Sequence, residues 1–248
     1  MTVIETKLAE FVKRLTGVAK VESIVLYGSA ARGDFRDGHS DLNLLCTLPT
    51  IGVKQLGAVA PVVKWWITTE KQPAPLFFTA DELKSAADVF AIELLDIQKE
   101  HRLLHGADIF PNLAVPMNLH RVQVEHELRT LVLKLRQQYV QMPDDEKTLQ
   151  AVLAKSHSGG VTLLRHTLIA LGQTPANSPR EIFMQIAAAT GADSHALAVG
   201  LELREKGLVA RGVSASYDDF LKALGKVIDA LDRQAPKKEW QRIAGGNS

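Results

Sequence analysis

The chain has 248 residues, a length that suits two domains better than one compact core. Its composition, 46% hydrophobic and 23% charged, excludes a disordered, fibrous or rod-like protein. The 29 basic and 28 acidic side chains give a formal charge of +1, so the basic excess typical of proteins that hold long nucleic acids is missing. We therefore expect a small substrate and no long nucleic acid as a partner.

Cysteine usage and hydropathy set two further limits. Cys46 is the only cysteine, which excludes an internal disulfide and a zinc cluster built from cysteines. The first ten residues carry Glu5, Lys7 and Glu10, and the longest apolar segments are interrupted by proline or charged residues. We expect a cytoplasmic protein without a membrane partner, and its oligomeric state is left open.

The first half of the chain is predicted to alternate helices and strands. Apolar residues recur at helical spacing over residues 2–16 and again over 53–70, whereas short apolar runs that end in Gly, Asp or Pro predict strands. Thr79 and Glu82 have the spacing of a capping box, which predicts a helix start. The predicted strands are residues 23–27, 42–47, 76–78, 90–97 and 101–105.

Strand patterns vanish from about Met117 onward. Helical spacing predicts a helix over 124–139, a second over 149–171 that is broken or kinked near Ser158-Gly159-Gly160, a third opening at Ser178-Pro179, and a last one over 220–231. We therefore predict an α+β domain over residues 1–112, with a small mixed sheet and flanking helices. An all-α helical bundle over 117–234 and a flexible tail over 235–248 follow it.

The segment from Gly28 to Asn43 carries the clearest chemistry. A strand that ends in Gly28-Ser29 presents backbone N–H groups and a hydroxyl to an anion, and glycine leaves room for a phosphate to approach. Asp41 and Asn43 are two residues apart on the next predicted strand, so both are expected on one face. Two oxygen ligands facing a phosphate cradle are what a Mg²⁺–triphosphate complex requires.

This segment, Gly-Ser-x-Ala-Arg-Gly followed by Ser-Asp-x-Asn, resembles the signature of the polymerase-β-like nucleotidyltransferases. Within that superfamily, the motif is most similar to those of the minimal nucleotidyltransferases and the aminoglycoside and lincosamide adenylyltransferases. The resemblance implies that Gly28, Ser29 and Arg32 contact the nucleotide and that Asp41 is a first metal ligand. It also implies a third carboxylate on a later strand, for which Glu93 is the best candidate and Asp96 the next, although Asp96 would point to the opposite face of a strand.

The resemblance implies a Mg²⁺-dependent enzyme that transfers a nucleoside monophosphate from an NTP, with ATP as the expected nucleotide. The acceptor is a hydroxyl of a small molecule or protein. Asp41, Asn43 and Glu93 would form the catalytic and metal-binding set. Asn43 departs from the signature because it stands where a second carboxylate is expected, and an uncharged ligand holds a cation less tightly. The alternative is therefore a catalytically impaired module of the same fold that binds a nucleotide or a protein partner.

A second alternative rests on the helical half. Arg121 and His126 match the Arg-x₄-His pattern of helical domains that accompany minimal nucleotidyltransferases in toxin–antitoxin pairs, where it serves RNA cleavage. A positioned imidazole and guanidinium could support that chemistry. The near-neutral charge of the chain counts against this ribonuclease hypothesis.

Overall fold

The computed structural model describes residues 2–28, 30–31, 41–117, 119–207 and 212–234. The chain divides into two compact units, Met1–His120 and Arg121–Ser248. The predicted domain bounds, 1–112 and 117–234, stay a prediction, and the predicted tail over 235–248 lies outside the described residues. Within the described residues, no helix is long and apolar enough to cross a membrane.

The first unit is built around a mixed sheet of four strands among its described residues. The sheet order is β3-β2-β1-β4, with β1 antiparallel to β2 and β4, and β2 parallel to β3. The predicted small mixed sheet with flanking helices is confirmed. The elements in chain order are α1 (Val3–Val18), β1 (Ser23–Tyr27), β2 (Asn43–Thr47), α2 (Val53–Thr68), β3 (Leu76–Phe78), α3 (Ala80–Ser85), α4 (Ala91–Lys99), β4 (His101–Gly106) and a 3₁₀ turn, Phe110–Asn112.

Helices cover both faces of this sheet. Alternate side chains of β1 and β2 point to opposite faces, so each face has its own core. On one side, the α1–α2 face, Ile24, Leu26 and Leu44 pack with Phe11 and Trp66. On the other, the α3–α4 face, Val25 and Leu45 pack with side chains of α3, α4 and the 3₁₀ turn.

The segment predicted as a strand over 90–97 is a helix, so that prediction was wrong. Ala91, Leu94 and Ile97 are buried at a spacing of three residues, which is the repeat of a helix that turns one face to the α3–α4 core. A short apolar run is ambiguous between the two structures, and here packing decided it. The capping box of Thr79 and Glu82 is confirmed, with hydrogen bonds in both directions.

The second unit is helical throughout its regular elements. The second of its helices runs without interruption through the glycine pair at 159–160, so the predicted break there was wrong. Elsewhere along this helix, Gly200 on a neighbouring helix allows a close approach, because a Cβ on Gly200 would lie 2.8 Å from the Leu153 carbonyl oxygen. Ser178 caps the next helix, with Pro179 in its first turn, as predicted. The helices are α5 (His120–Gln141), α6 (Glu146–Ala170), α7 (Pro179–Thr190), α8 (Ser194–Lys206) and α9 (Val213–Asp232).

Candidate active site

Strand β1 ends in a tight turn at Gly28. Gly28 has φ +81°, in the left-handed region that favours glycine, and its carbonyl accepts a hydrogen bond of 3.1 Å from the Ala31 N–H. A Cβ at this position would lie 3.2 Å from the side-chain nitrogen of Asn43. Glycine at position 28 thus leaves room for the Asn43 side chain, which a Cβ would crowd. Ser29 and Arg32 lie outside the described residues, and their nucleotide contacts stay predictions.

Asn43 belongs to a row of polar side chains across the end of the sheet. It pairs with Tyr27 on β1, and Tyr27 pairs with His101 on β4. Paired residues share a face, and Tyr27 packs against the core of the α3–α4 face. The row therefore lies on the α3–α4 face, at the end where β1 runs into the Gly28 turn.

Asp41 precedes β2 rather than lying within it, since the strand begins at Asn43. Its side chain is exposed, whereas the adjacent Leu42 is buried in the core of the α1–α2 face. The Leu42 N–H donates a 2.8 Å hydrogen bond to the side-chain oxygen of Gln72, which fixes the backbone between Asp41 and Asn43. The sequence offered no signal for Gln72, because the bond joins residues that are 30 positions apart.

Glu93 lies on α4, where it is exposed, and not on a strand as predicted. The pKa of Tyr27 is raised first by burial and then by the negative charge of Glu93. Asp96 follows one helical turn later, so the two acids are neighbours along α4 rather than on opposite faces of a strand. The structure thus brings Gly28 and Asn43 together, and the charge of Glu93 acts on Tyr27, which pairs with Asn43.

Strand β3, which neighbours β2, adds only apolar side chains to this face. Leu76 pairs with Leu45 and Phe78 with Thr47, so Leu76 and Phe78 share the face of Asn43. Among the residues that the structure describes, no cluster of three or more His, Cys, Asp or Glu side chains could hold a metal ion. A carboxylate at Asp41 and an amide oxygen at Asn43 are hard donors, and this set fits a divalent cation that takes further ligands from bound phosphates.

His101 fixes α4 to the sheet, a role that the sequence did not reveal. Its Nδ1 lies 2.7 Å from the Ile97 carbonyl oxygen, and its Nε2 lies 2.9 Å from an Asp108 carboxylate oxygen. Its ring also packs on Phe110, with 5.0 Å between the ring centroids. These contacts tie the end of α4 to β4, and so they position the helix that carries Glu93.

The family model described as the nucleotidyltransferase domain matches residues 5–106, from the first turn of α1 to the end of β4. Residues 5–106 are a nucleotidyltransferase domain. This agrees with the polymerase-β-like resemblance of the Gly28–Asn43 segment. A search of curated proteins found no match to the chain.

Outside the nucleotidyltransferase domain, Arg121 and His126 do not form a joint site within the chain. The Arg121 guanidinium donates hydrogen bonds to Glu125 at 2.7 Å and to the Leu231 carbonyl at 3.2 Å. The His126 side chain is 73% exposed. Five residues on a helix correspond to a rotation of about 140°, so the two side chains leave α5 in different directions. This geometry does not favour the ribonuclease hypothesis.

Proposed function

We propose that the nucleotidyltransferase domain binds a nucleoside triphosphate, with ATP as the expected nucleotide, where β1 ends and β2 begins. It transfers the nucleoside monophosphate to a hydroxyl of a small molecule or protein and releases pyrophosphate. The observation that carries the proposal is the approach of the Asn43 amide to the bare backbone of Gly28 at φ +81°. This arrangement sets the Asn43 side chain, which has an oxygen that could bind a cation, beside a turn where no Cβ hinders the approach of a phosphate.

Each residue of the site has a separate role in this proposal. Gly28 lets the phosphates approach the backbone, and Ser29 contributes its N–H and hydroxyl. Asp41 and Asn43 hold Mg²⁺ together with Glu93. When bound, Mg²⁺ supplies positive charge that neutralises the triphosphate.

The transfer itself forms one bond and breaks another. The acceptor hydroxyl oxygen attacks the α-phosphorus, and the bond between that phosphorus and the oxygen that bridges to the β-phosphorus breaks. Pyrophosphate leaves with the electron pair of that bond. Glu93 takes the proton of the acceptor hydroxyl, a role that fits its exposed position on α4 and the effect of its charge on Tyr27.

A second candidate function is nucleotide binding without turnover. It is favoured by the neutral amide of Asn43 and by the apolar side chains of β3 on the same face. Loss of one negative ligand weakens the hold on a cation, while the phosphate contacts of the Gly28 turn are unaffected. The two candidates share one binding site and differ in whether Asp41 and Glu93 support catalysis.

Calorimetric titration of the full chain with ATP, with and without Mg²⁺, tests the proposal together with pyrophosphate release. We expect Mg²⁺-dependent binding, a loss of turnover of about 100-fold or more in Asp41→Ala, and a gain in Mg²⁺ affinity and turnover in Asn43→Asp. Asp144→Ala removes an exposed carboxylate in the second unit and should change nothing. ATP binding that ignores both Mg²⁺ and Asp41→Ala, without pyrophosphate release by Asn43→Asp, would establish the second candidate instead.

A further inference from the structure

The helical unit contains a groove that the proposed nucleotidyl transfer does not use. It lies between α5 and α6, and its volume of about 500 Å³ falls in the range of small-molecule pockets. We propose that this groove binds a small amphiphilic anion, a molecule with an apolar body and one negatively charged head group. The inference is independent of the nucleotide site, because all of the lining residues belong to the second unit.

Two matched helical stripes form the walls of the groove. On α5 the lining residues are Leu131, Lys134, Leu135 and Gln138, and Met142 directly follows the helix. On α6 the same spacing runs from Thr148 to Ser156. This spacing selects one face of each helix, so the two helices turn these faces towards a common space. The connection over residues 142–145 is short, as in an antiparallel helical hairpin.

The charged side chains that line the groove are all positive. Lys134 and Lys155 are its two charged residues, and no acidic side chain lines the groove. Neither ammonium group forms an ion pair with another residue in the described part of the chain. Asp145, the acid at the start of α6, accepts hydrogen bonds from the Thr148 N–H at 3.0 Å and the Thr148 hydroxyl at 2.6 Å. A ligand of complementary charge is therefore an anion.

The two lysines are at similar distances along their helices from the helix connection. Lys134 precedes the end of α5 at Gln141, and Lys155 follows the start of α6 at Glu146, which puts them about 10 and 13 Å from the helix connection at 1.5 Å per residue. Met142 lies in the connection itself. The head group would therefore contact the lysines, and an apolar body about 10 Å long would extend towards Met142.

Octanoate is a suitable probe because it has one carboxylate and an apolar chain that this groove can cover. Calorimetric titration of the full chain should show saturable binding at one site. Acetate, which lacks the apolar body, and octyltrimethylammonium, which carries the opposite charge, should not bind. The methyl resonance of Met142 should shift on addition of octanoate, because the apolar end of the ligand lies beside it.

Three variants distinguish specific binding of octanoate in the groove from nonspecific binding elsewhere on the protein. Lys134→Glu combined with Lys155→Glu should weaken octanoate binding at least tenfold. Ala151→Phe fills the groove from an exposed position on α6, keeps both lysines, and should weaken binding similarly. Arg136→Glu is the matched control, since it reverses a charge on α5 two residues from Lys134, on a different side of the helix. Its affinity should equal that of the original chain.

The proposal is overturned if octanoate does not bind, if it binds the lysine double variant as well as the original chain, or if octyltrimethylammonium binds equally well. Self-association that disappears in Ala151→Phe, in the absence of any octanoate binding, would also overturn it and would assign the groove to a second copy of the chain. Circular dichroism of each variant, with unchanged helix content, ties a loss of binding to the groove. If Ala151→Phe has a lower helix content, the double lysine variant alone tests the proposal.

Discussion

The two faces of the sheet differ in what they leave uncovered. On the α1–α2 face, the inward side chains of β1 and β2 are apolar and buried, Cys46 among them. On the α3–α4 face, Val25 and Leu45 are buried, but the row at the end of the strands is polar and partly exposed, with Tyr27 and Asn43 at its centre. We infer that the α1–α2 face mainly stabilises the unit. The α3–α4 face has polar side chains where a longer apolar core would otherwise extend, and the candidate site lies at that end.

The largest expected contrast is the reactivity of Cys46. It is fully buried on the α1–α2 face, and burial raises the pKa of its thiol, so both access and thiolate formation are suppressed in the folded state. We expect alkylation by iodoacetamide to be slower than in the denatured chain by about 1000-fold or more. Because Cys46 is the only cysteine, the measured rate has a single source. Similar rates in both states would show that this face opens readily.

The next effect is the loss of a large core side chain from the same face. Trp66 is fully buried, with its ring centroid 4.8 Å from that of Phe11, so Trp66→Ala should lower the free energy of unfolding of this unit by about 3–5 kcal/mol. If unfolding in denaturant is followed by the rate of Cys46 alkylation, the measured free energy of unfolding refers to the first unit, because the only cysteine lies there. Trp65→Ala is the matched control, since Trp65 is only half-buried and contacts Arg14 at 4.2 Å. Equal losses in both variants would contradict the assignment of Trp66 to the core.

On the α3–α4 face the expected stability effects are smaller. His101→Ala removes two hydrogen bonds, one to the Ile97 carbonyl of α4 and one to Asp108, and we expect a loss of about 1–3 kcal/mol in the same denaturant titration. His105→Ala, on the same strand, removes a half-buried ring for which no hydrogen bond to a described residue is present, and it should cost less than about 0.5 kcal/mol. If the two variants lose the same stability, the His101 contacts do not anchor α4.

The same contrast explains how far the sequence could predict the molecule. Strands β1 and β3 and the capping box at Thr79 were predicted correctly because a strand's apolar run and a helix cap are local signals. The motif from Gly28 to Asn43 indicated the candidate site because glycine and acidic or amide residues at fixed spacing have chemical roles. These features depend on residues that are close in the chain.

The rest of the site depends on contacts between distant residues. The run around Glu93 was predicted as a strand, although Ala91, Leu94 and Ile97 repeat with a helical spacing that could have been recognised. Gln72 has no local signal at all, since its side-chain oxygen accepts a hydrogen bond from the Leu42 N–H. Such long-range hydrogen bonds are properties of the folded chain, and a sequence pattern does not reveal them.

The smallest expected effect tests the position of Glu93 most directly. Burial and the charge of Glu93 raise the pKa of Tyr27 above its ordinary value of 10, so Tyr27 keeps its proton in the folded state at a pH where the unfolded chain loses it. Its contribution to stability is complete below pH 10 and is lost as the pH rises towards the folded pKa. Glu93→Gln removes the second cause and should lower the pKa of Tyr27.

Ultraviolet difference titration against Tyr27→Phe isolates this hydroxyl from the other two tyrosines. Asp88→Asn, which removes a carboxylate that does not shift the pKa of Tyr27, is the matched control and should leave the midpoint unchanged. An unchanged midpoint in Glu93→Gln would place that carboxylate away from Tyr27. Glu93 would then lie too far from Asn43 to act at the same site, and the proposed transfer would lose its proton acceptor. A midpoint that falls in Glu93→Gln alone supports the arrangement in which α4 carries the third proposed metal ligand, and β3 has only apolar side chains on the face of Asn43.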